Sequence, residues 1–180
     1  PVWIGEKNTN GPYAATPREG GATVASAAEG GIEVIRTGQA AGTFWTKVNG
    51  TLLSMGVGSS GSGTEFLAYS IADPAKRGTA LIVREIGAAS LGPETEIDRS
   101  DGVIDRVRIR TDPDGIPSIA WIDLSGNGGT VKATVLRDDW IRPLSAKTTR
   151  SDKLSFTMLP MGGGRFAFGW LEPSDPESRG

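Results

Sequence analysis

The chain has 180 residues, 37% of them apolar, with a net charge of −2, so it is long enough to bury a core. Its Lys and Arg are scattered, which argues against a nucleic-acid or anionic-membrane partner, and no apolar run approaches the roughly 20 residues of a membrane helix. Cys and His are both absent, which excludes a disulfide framework, His-dependent nucleophilic triads and zinc sites built on imidazole or thiolate, and leaves carboxylates, Lys, Tyr or Ser for any chemistry.

Gly (26) and Pro (11) together make up about a fifth of the chain, which predicts short elements and many turns. Pro1–Lys7 (PVWIGEK) alternates and reads as a strand, followed by a turn over Asn8–Pro12. The chain opens on Pro1 without Met and shows no signal peptide, as a processed or trimmed product would. Tyr13–Glu19 carries little signal, Gly20-Gly21 is a turn, and Ala22–Ala28 is small and weakly apolar. Ile32–Thr37 and Thr43–Val48 read as strands, the second ended by Asn49-Gly50, a strong hairpin dipeptide. Thr51–Val57 follows. Gly58–Gly63 (GSSGSG) is either a linker between two small domains or a loop inside one, and comparable units on both sides favour the loop.

Thr64–Ile71 reads as a buried strand. Asp73-Pro74 would suit a helix start, but Gly78 and Gly87 interrupt that helix and Leu81–Val83 is a compact β-type run. A turn over Ala72–Gly78 and a strand over Thr79–Ile86 are therefore expected. Gly92–Gly102 is an acidic loop. Val103–Arg110 alternates, with Ile104, Arg106, Arg108 and Arg110 on the face expected to meet solvent. Asp112–Gly115 is a turn, and Gly115–Leu136 reads as strand, Gly/Asn/Ser turn and second strand. Asp138–Pro143 and Lys147–Lys153 are polar connections. Leu154–Leu159, the turn Pro160–Gly164 and Arg165–Leu171 form a last hairpin.

A related segment follows each of Gly21, Gly63, Gly115 and Gly164, at intervals of about 40–50 residues. Three of these carry a small residue and then an aromatic: Ala68-Tyr69, Ala120-Trp121 and Gly169-Trp170. The expected fold is all-β, one domain over residues 1–180, built as a small propeller-like ring of about four repeats. The N-terminal strand Val2–Lys7 would complete the last unit and so remove a raw sheet edge. An antiparallel β-sandwich uses the same ingredients and stays open as the alternative.

The stretches LPMGGGRFAFGWLEPSDPESRG and DPDGIPSIAWIDLSGNGG resemble the repeat of about fifty residues found in bacterial secreted, RTX-associated proteins. The first two units match that pattern poorly, and the Gly-Gly-x-Gly-x-Asp nonapeptides of the calcium β-roll are absent. The resemblance implies an extracellular or cell-surface bacterial repeat module and no catalytic residues.

Trp121 with Asp123, and Trp170 with Glu172, share a W-x-[DE] pattern that turns an aromatic and a carboxylate to one side of a strand. That pairing suits sugar binding, and it equally suits a Trp packed between units. Tyr69, Trp121, Asp123, Trp170 and Glu172 are the candidate ligand-binding residues. The expected function is a non-enzymatic binding module for carbohydrate or another protein. The alternatives are a carboxylate-dependent glycoside hydrolase or lyase, and a structural segment of a larger secreted protein; self-association is a further reading of the truncated fourth unit. Hydrolysis would need two acids across a cleft, and Asp73, Asp123, Glu172, or Glu94 with Glu96, are candidates that also read as turn or surface acids. No cofactor is expected. Asp123, Ser125, Asn127 and Gly128 fit the opening of a calcium loop, but Thr134 stands where the closing acid belongs, so a polar hairpin turn explains them as well.

Overall fold

A computed structural model describes residues 11–125, 128–136, 144–148, 155–163 and 165–171. These residues form fourteen strands and no helix. Sheet I is β1 (Tyr13–Arg18), β2 (Gly21–Ala28), β3 (Gly31–Arg36) and β4 (Gly42–Lys47). Sheet II is β5 (Thr51–Ser59), β6 (Glu65–Ala72), β7 (Thr79–Ile86) and β8 (Thr95–Ser100). Sheet III is β9 (Val103–Thr111), β10 (Pro117–Leu124), β11 (Gly129–Val135) and β12 (Leu144–Thr148), and sheet IV is the hairpin of β13 (Ser155–Gly162) and β14 (Arg165–Leu171). Within each sheet, strands that follow one another in the chain pair antiparallel, so every sheet is a simple meander.

The apolar runs explain why the sheets stack in series. Side chains alternate between the two faces of a strand, so a strand covered on both sides has to be apolar at consecutive positions. In β7, Ala80 and Ile82 join the core between sheets I and II, while Leu81 and Val83 join the core between II and III. β10 does the same one layer on: Ile119 and Trp121 face sheet II, and Ala120 and Ile122 face sheet IV. A two-sheet sandwich leaves one face of each sheet to water, which sheets II and III do not, and that sets the sandwich alternative aside. The fold is all-β and propeller-like: β5 lies against both β1 and β9, and β13 lies against β9, so the first strands of the four sheets run side by side. The segment Val2–Lys7, and with it the expected ring closure, lies outside the described residues.

The aligned glycines Gly21, Gly63, Gly115 and Gly164 stand at or just ahead of β2, β6, β10 and β14, the second strand of each sheet. GSSGSG spans the end of β5 and the β5–β6 turn, and the helix after Asp73 is absent: the strand Thr79–Ile86 occurs as expected. Other expectations need correction. Asn49-Gly50 is not a hairpin turn but the crossing from β4 in sheet I to β5 in sheet II. Its glycine sits at φ 142°, where a Cβ would lie 2.5 Å from the Ala72 carbonyl oxygen. The weak segment Tyr13–Glu19 contains β1, the acidic loop Gly92–Gly102 contains β8, and β12 occupies the stretch between the two polar connections, reaching Lys147-Thr148.

Val103–Arg110 does not hold one parity. The β9–β10 register shifts between Ala120 and Ile122, and Arg106 takes φ 53°, the geometry of a β-bulge. The bulge lets Ile104 point into the core before it and Val107 and Ile109 after it, so Ile104 is not on a solvated face. Two hydrogen bonds hold the bulge: the Arg106 amide to Asp105 Oδ1 at 2.6 Å and the Val107 amide to Ser54 Oγ at 3.0 Å.

Polar contacts fasten one sheet to the next. Lys132 Nζ of sheet III lies 2.8 Å from Asp98 of sheet II and 2.8 Å from Asp123. Burial works against the Lys132 charge, but the hydrogen bonds to Asp123 and Asp98 outweigh it and push the ammonium pKa up. That contribution is present through neutral pH and is lost only as pH rises through the raised value.

The turns of sheets II and III also touch. The Gly61 amide donates to the Gly115 carbonyl at 2.7 Å, and a Cβ on Gly61 would lie 2.6 Å from Gly115 Cα. Gly115 is moreover at φ 80°. Gly163→Ser, whose Cβ would meet nothing within 4 Å, is expected to cost about 1–3 kcal/mol in urea unfolding from the backbone strain of its φ of 62°, and Gly115→Ala clearly more, because its Cβ would also lie 2.8 Å from Gly61 Cα. Equal losses at the two positions would show that the close approach between turns is absent.

Candidate functional site

The first hairpin of every sheet ends on the same side of the molecule, because β1, β5, β9 and β13 run side by side. Three contacts tie these turns together: Thr111 Oγ1 donates to the Ser59 carbonyl, Gly61 pairs with Gly115, and the Gly163 amide donates to Asp114 Oδ2 at 2.7 Å. Asp112 shapes its own turn by accepting the Asp114 and Ile116 amides on Oδ1 at 3.0 and 2.7 Å. In sheet I the β1–β2 and β3–β4 turns lie on each other so closely that a Cβ on Gly38 would come 2.7 Å from the Gly20 carbonyl oxygen. That stacking brings Glu19 and Gln39 to the same rim.

Between these turns and the β5–β6 turn lies a cleft of about 260 Å³, lined by Arg18, Glu19, Gln39, Ser59, Gly63 and Glu65. Glu65 opens β6 and is 4% exposed. Its Oε2 is 2.6 Å from Arg36 Nη2 and 4.0 Å from Arg18 Nη1, and its Oε1 accepts the Thr23 hydroxyl. Arg36 is itself buried and donates to the Ile86 and Gly87 carbonyls at 2.7 and 2.6 Å, so the pair locks sheet I to sheet II beneath the cleft. Glu19, by contrast, stands exposed on the rim. The cleft thus holds two carboxylates of unlike surroundings, one rigid and buried and one reachable from water.

Tyr69, Trp121 and Asp123, singled out in the sequence, lie elsewhere. Tyr69 is fully buried in β6 and donates to Glu94 Oε1 at 2.9 Å; burial, reinforced by that hydrogen bond, pushes its hydroxyl pKa well above the ordinary tyrosine value. Trp121 is fully buried between sheets II and III, with its indole donating to Asp98 Oδ2 at 3.0 Å. Asp123 is 5% exposed and engaged by Lys132 and Ser100. Trp121 and Asp123 do share one side of β10, but that side is packed, not open. Trp170 belongs to β14 opposite Phe156, in a separate sheet, and Glu172 lies outside the described residues. Of the five, Tyr69, Trp121 and Asp123 are each buried and form no common open site.

The other acids are committed locally. Glu96 holds Arg99 through both oxygens, Glu94 lies 3.6 Å from Arg84, and Asp73 Oδ1 accepts the Ala75 amide at 2.8 Å. Asn127 of the calcium-like stretch lies outside the described residues, and its Asp123 carboxylate faces the Lys132 ammonium. Among the described residues no group of three or more acidic side chains is placed to hold a metal ion.

Sequence reasoning missed Glu65, although a signal was present. An acid directly ahead of the apolar run FLAYSI is a charge entering a buried layer, and such a charge needs a cation to accompany it. The partner, Arg36, closes an equally apolar strand 29 positions earlier, a pairing that only the stacking of the sheets reveals.

The serial meanders define an all-β, propeller-like protein. No protein-family model matches the sequence, and no curated protein does. Among solved structures, the fold is similar to the crystal structure of an endo-arabinase from Bacteroides thetaiotaomicron, at 13% identity, with a TM-score of 0.57, over 96% of this chain and 75% of that one. At that identity the likeness is one of fold. It nevertheless corrects the expectation of a non-enzymatic binding module, since the structure that shares the fold is a glycoside hydrolase.

Proposed function

We propose that this protein is a carboxylate-dependent glycoside hydrolase whose reaction takes place in the cleft between Glu19 and Glu65. The observation that carries this reading is the presence of two carboxylates of contrasting environment in one cleft, in a fold shared with an endo-arabinase. Glycosidic cleavage asks for a proton on the leaving oxygen and a negative charge beside the sugar carbon as it becomes oxocarbenium-like. Glu19 stands exposed on the rim and is assigned the role of proton donor. Glu65, held in one orientation by Arg36 and Thr23, provides a fixed negative charge beneath the cleft as that carbon becomes electron-poor. Water then adds to the carbon and passes its proton to the Glu19 carboxylate, which restores the donor. Gln39 and Ser59 supply hydroxyl-binding groups on the cleft wall. The ligand in this reading is a polysaccharide met outside the cell, which agrees with the resemblance to secreted repeat modules.

Glu19→Gln tests the assignment. It is expected to lower kcat on an oligosaccharide by about 100-fold or more and to act much less on an aryl glycoside whose leaving group needs no proton. The melting curve should stay unchanged because Glu19 is exposed. Equal turnover in variant and parent, or no turnover by the parent on arabinan and a wider polysaccharide panel, would remove the proposal.

A further inference from the structure

We propose that the cleft selects an acidic sugar, with the carboxylate of a uronic acid residue bound by Arg18; this rests on the cleft being the sugar site. Arg36 holds Glu65 at 2.6 Å and donates to the Ile86 and Gly87 carbonyls, so its charge already faces an anion. Arg18 is left over. Its nearest acid is that same Glu65 oxygen at 4.0 Å, beyond hydrogen-bond range. Its Nη1 is buried with no hydrogen-bond partner, an arrangement native proteins rarely leave without a ligand or water to complete it.

Arg18 also lines the cleft, and its side chain is 21% exposed although Nη1 itself is enclosed beside Glu65, so a ligand meets the part of the side chain that remains exposed. A planar carboxylate fits the guanidinium fork through two parallel hydrogen bonds, a match that a neutral sugar hydroxyl does not reproduce. The partial burial strengthens that contact, because low local dielectric and exclusion of salt reduce its screening.

Binding and turnover are read separately. Galacturonate oligosaccharides and neutral arabino-oligosaccharides of equal length are titrated calorimetrically into the Glu19→Gln protein, which keeps Arg18 and the cleft. The acidic series is expected to bind at least about tenfold more tightly, and Arg18→Gln in that background should remove the difference. Arg18→Lys should recover only part of it, since an ammonium offers no fork. The preference should also shrink as salt is raised, a readout that needs no variant and stands if Arg18→Gln fails to fold. Equal binding of the two series, or a preference indifferent to salt, overturns the acidic-sugar proposal. Turnover by the parent protein then separates the two readings. Cleavage of neutral oligosaccharides alone overturns the acidic-sugar proposal and leaves the hydrolase reading standing. Arg18-dependent binding of the acidic series without cleavage does the reverse.

Discussion

Glu65→Met is expected to lower the unfolding free energy by about 3 kcal/mol, and Arg36→Met by more, about 4–5 kcal/mol. Both side chains are buried at the junction of sheets I and II, where removing one partner leaves a charge without its counter-ion. The losses differ because the survivors differ. Arg36 without Glu65 still donates to the Ile86 and Gly87 carbonyls. Glu65 without Arg36 keeps the Thr23 hydroxyl and an Arg18 guanidinium at 4.0 Å, while those two carbonyls lose their donor.

Replacing both together should cost clearly less than the sum of the two single changes, since no unpaired charge remains. Urea midpoints with unchanged m-values would measure this. Single losses below about 1 kcal/mol, the range of exposed pairs, would show that the charges are not paired in a buried setting. On the functional side, Glu65→Gln assayed well below its melting temperature should still have lost turnover. Retained turnover would assign Glu65 to architecture alone.

Trp121→Ala is expected to cost about 3–5 kcal/mol, a fall in Tm of roughly 10 °C for a protein of this size. The indole is fully enclosed by the core between sheets II and III, so its removal leaves a cavity that the flanking strands cannot close. Trp121→Phe should cost about 1–2 kcal/mol, because it restores most of the volume but leaves Asp98 Oδ2 with Lys132 alone. Glycan affinity of whatever remains folded should not change in either variant. A small stability loss coupled to lost sugar binding would show that the indole contacts ligand directly.

How much of this was legible in advance follows from where each residue's signal resides. Strands that enter a layer covered on both sides, such as Thr79–Ile86, announce themselves by unbroken apolar runs. The edge strand Thr95–Ser100 does not, since its mostly polar, half-buried side chains look like those of a loop and its pairing is supplied by β7. The bulge at Arg106 breaks an alternation that is otherwise regular, and the sequence around it contains no glycine to mark the break. The W-x-[DE] pattern was real as chemistry. Its meaning, ligand platform or packed layer, depends on what covers that side of β10, and sheet II covers it.

By itself, then, the amino-acid sequence determined an all-β chain of short antiparallel hairpins and an inventory without His or Cys that leaves carboxylates, Lys, Tyr or Ser for any chemistry. Those properties are local or compositional: strand periodicity, turn residues and the presence of a side-chain type involve neighbours along the chain. The tertiary structure alone decided that the sheets stack in series, that Trp121 is buried, and that Glu19, Arg18 and Glu65 share a cleft. These are long-range facts. Arg36 meets Glu65 across 29 residues because two apolar sheet faces exclude water together, and hydrophobic burial, being non-directional, leaves no mark in the sequence of which faces will meet.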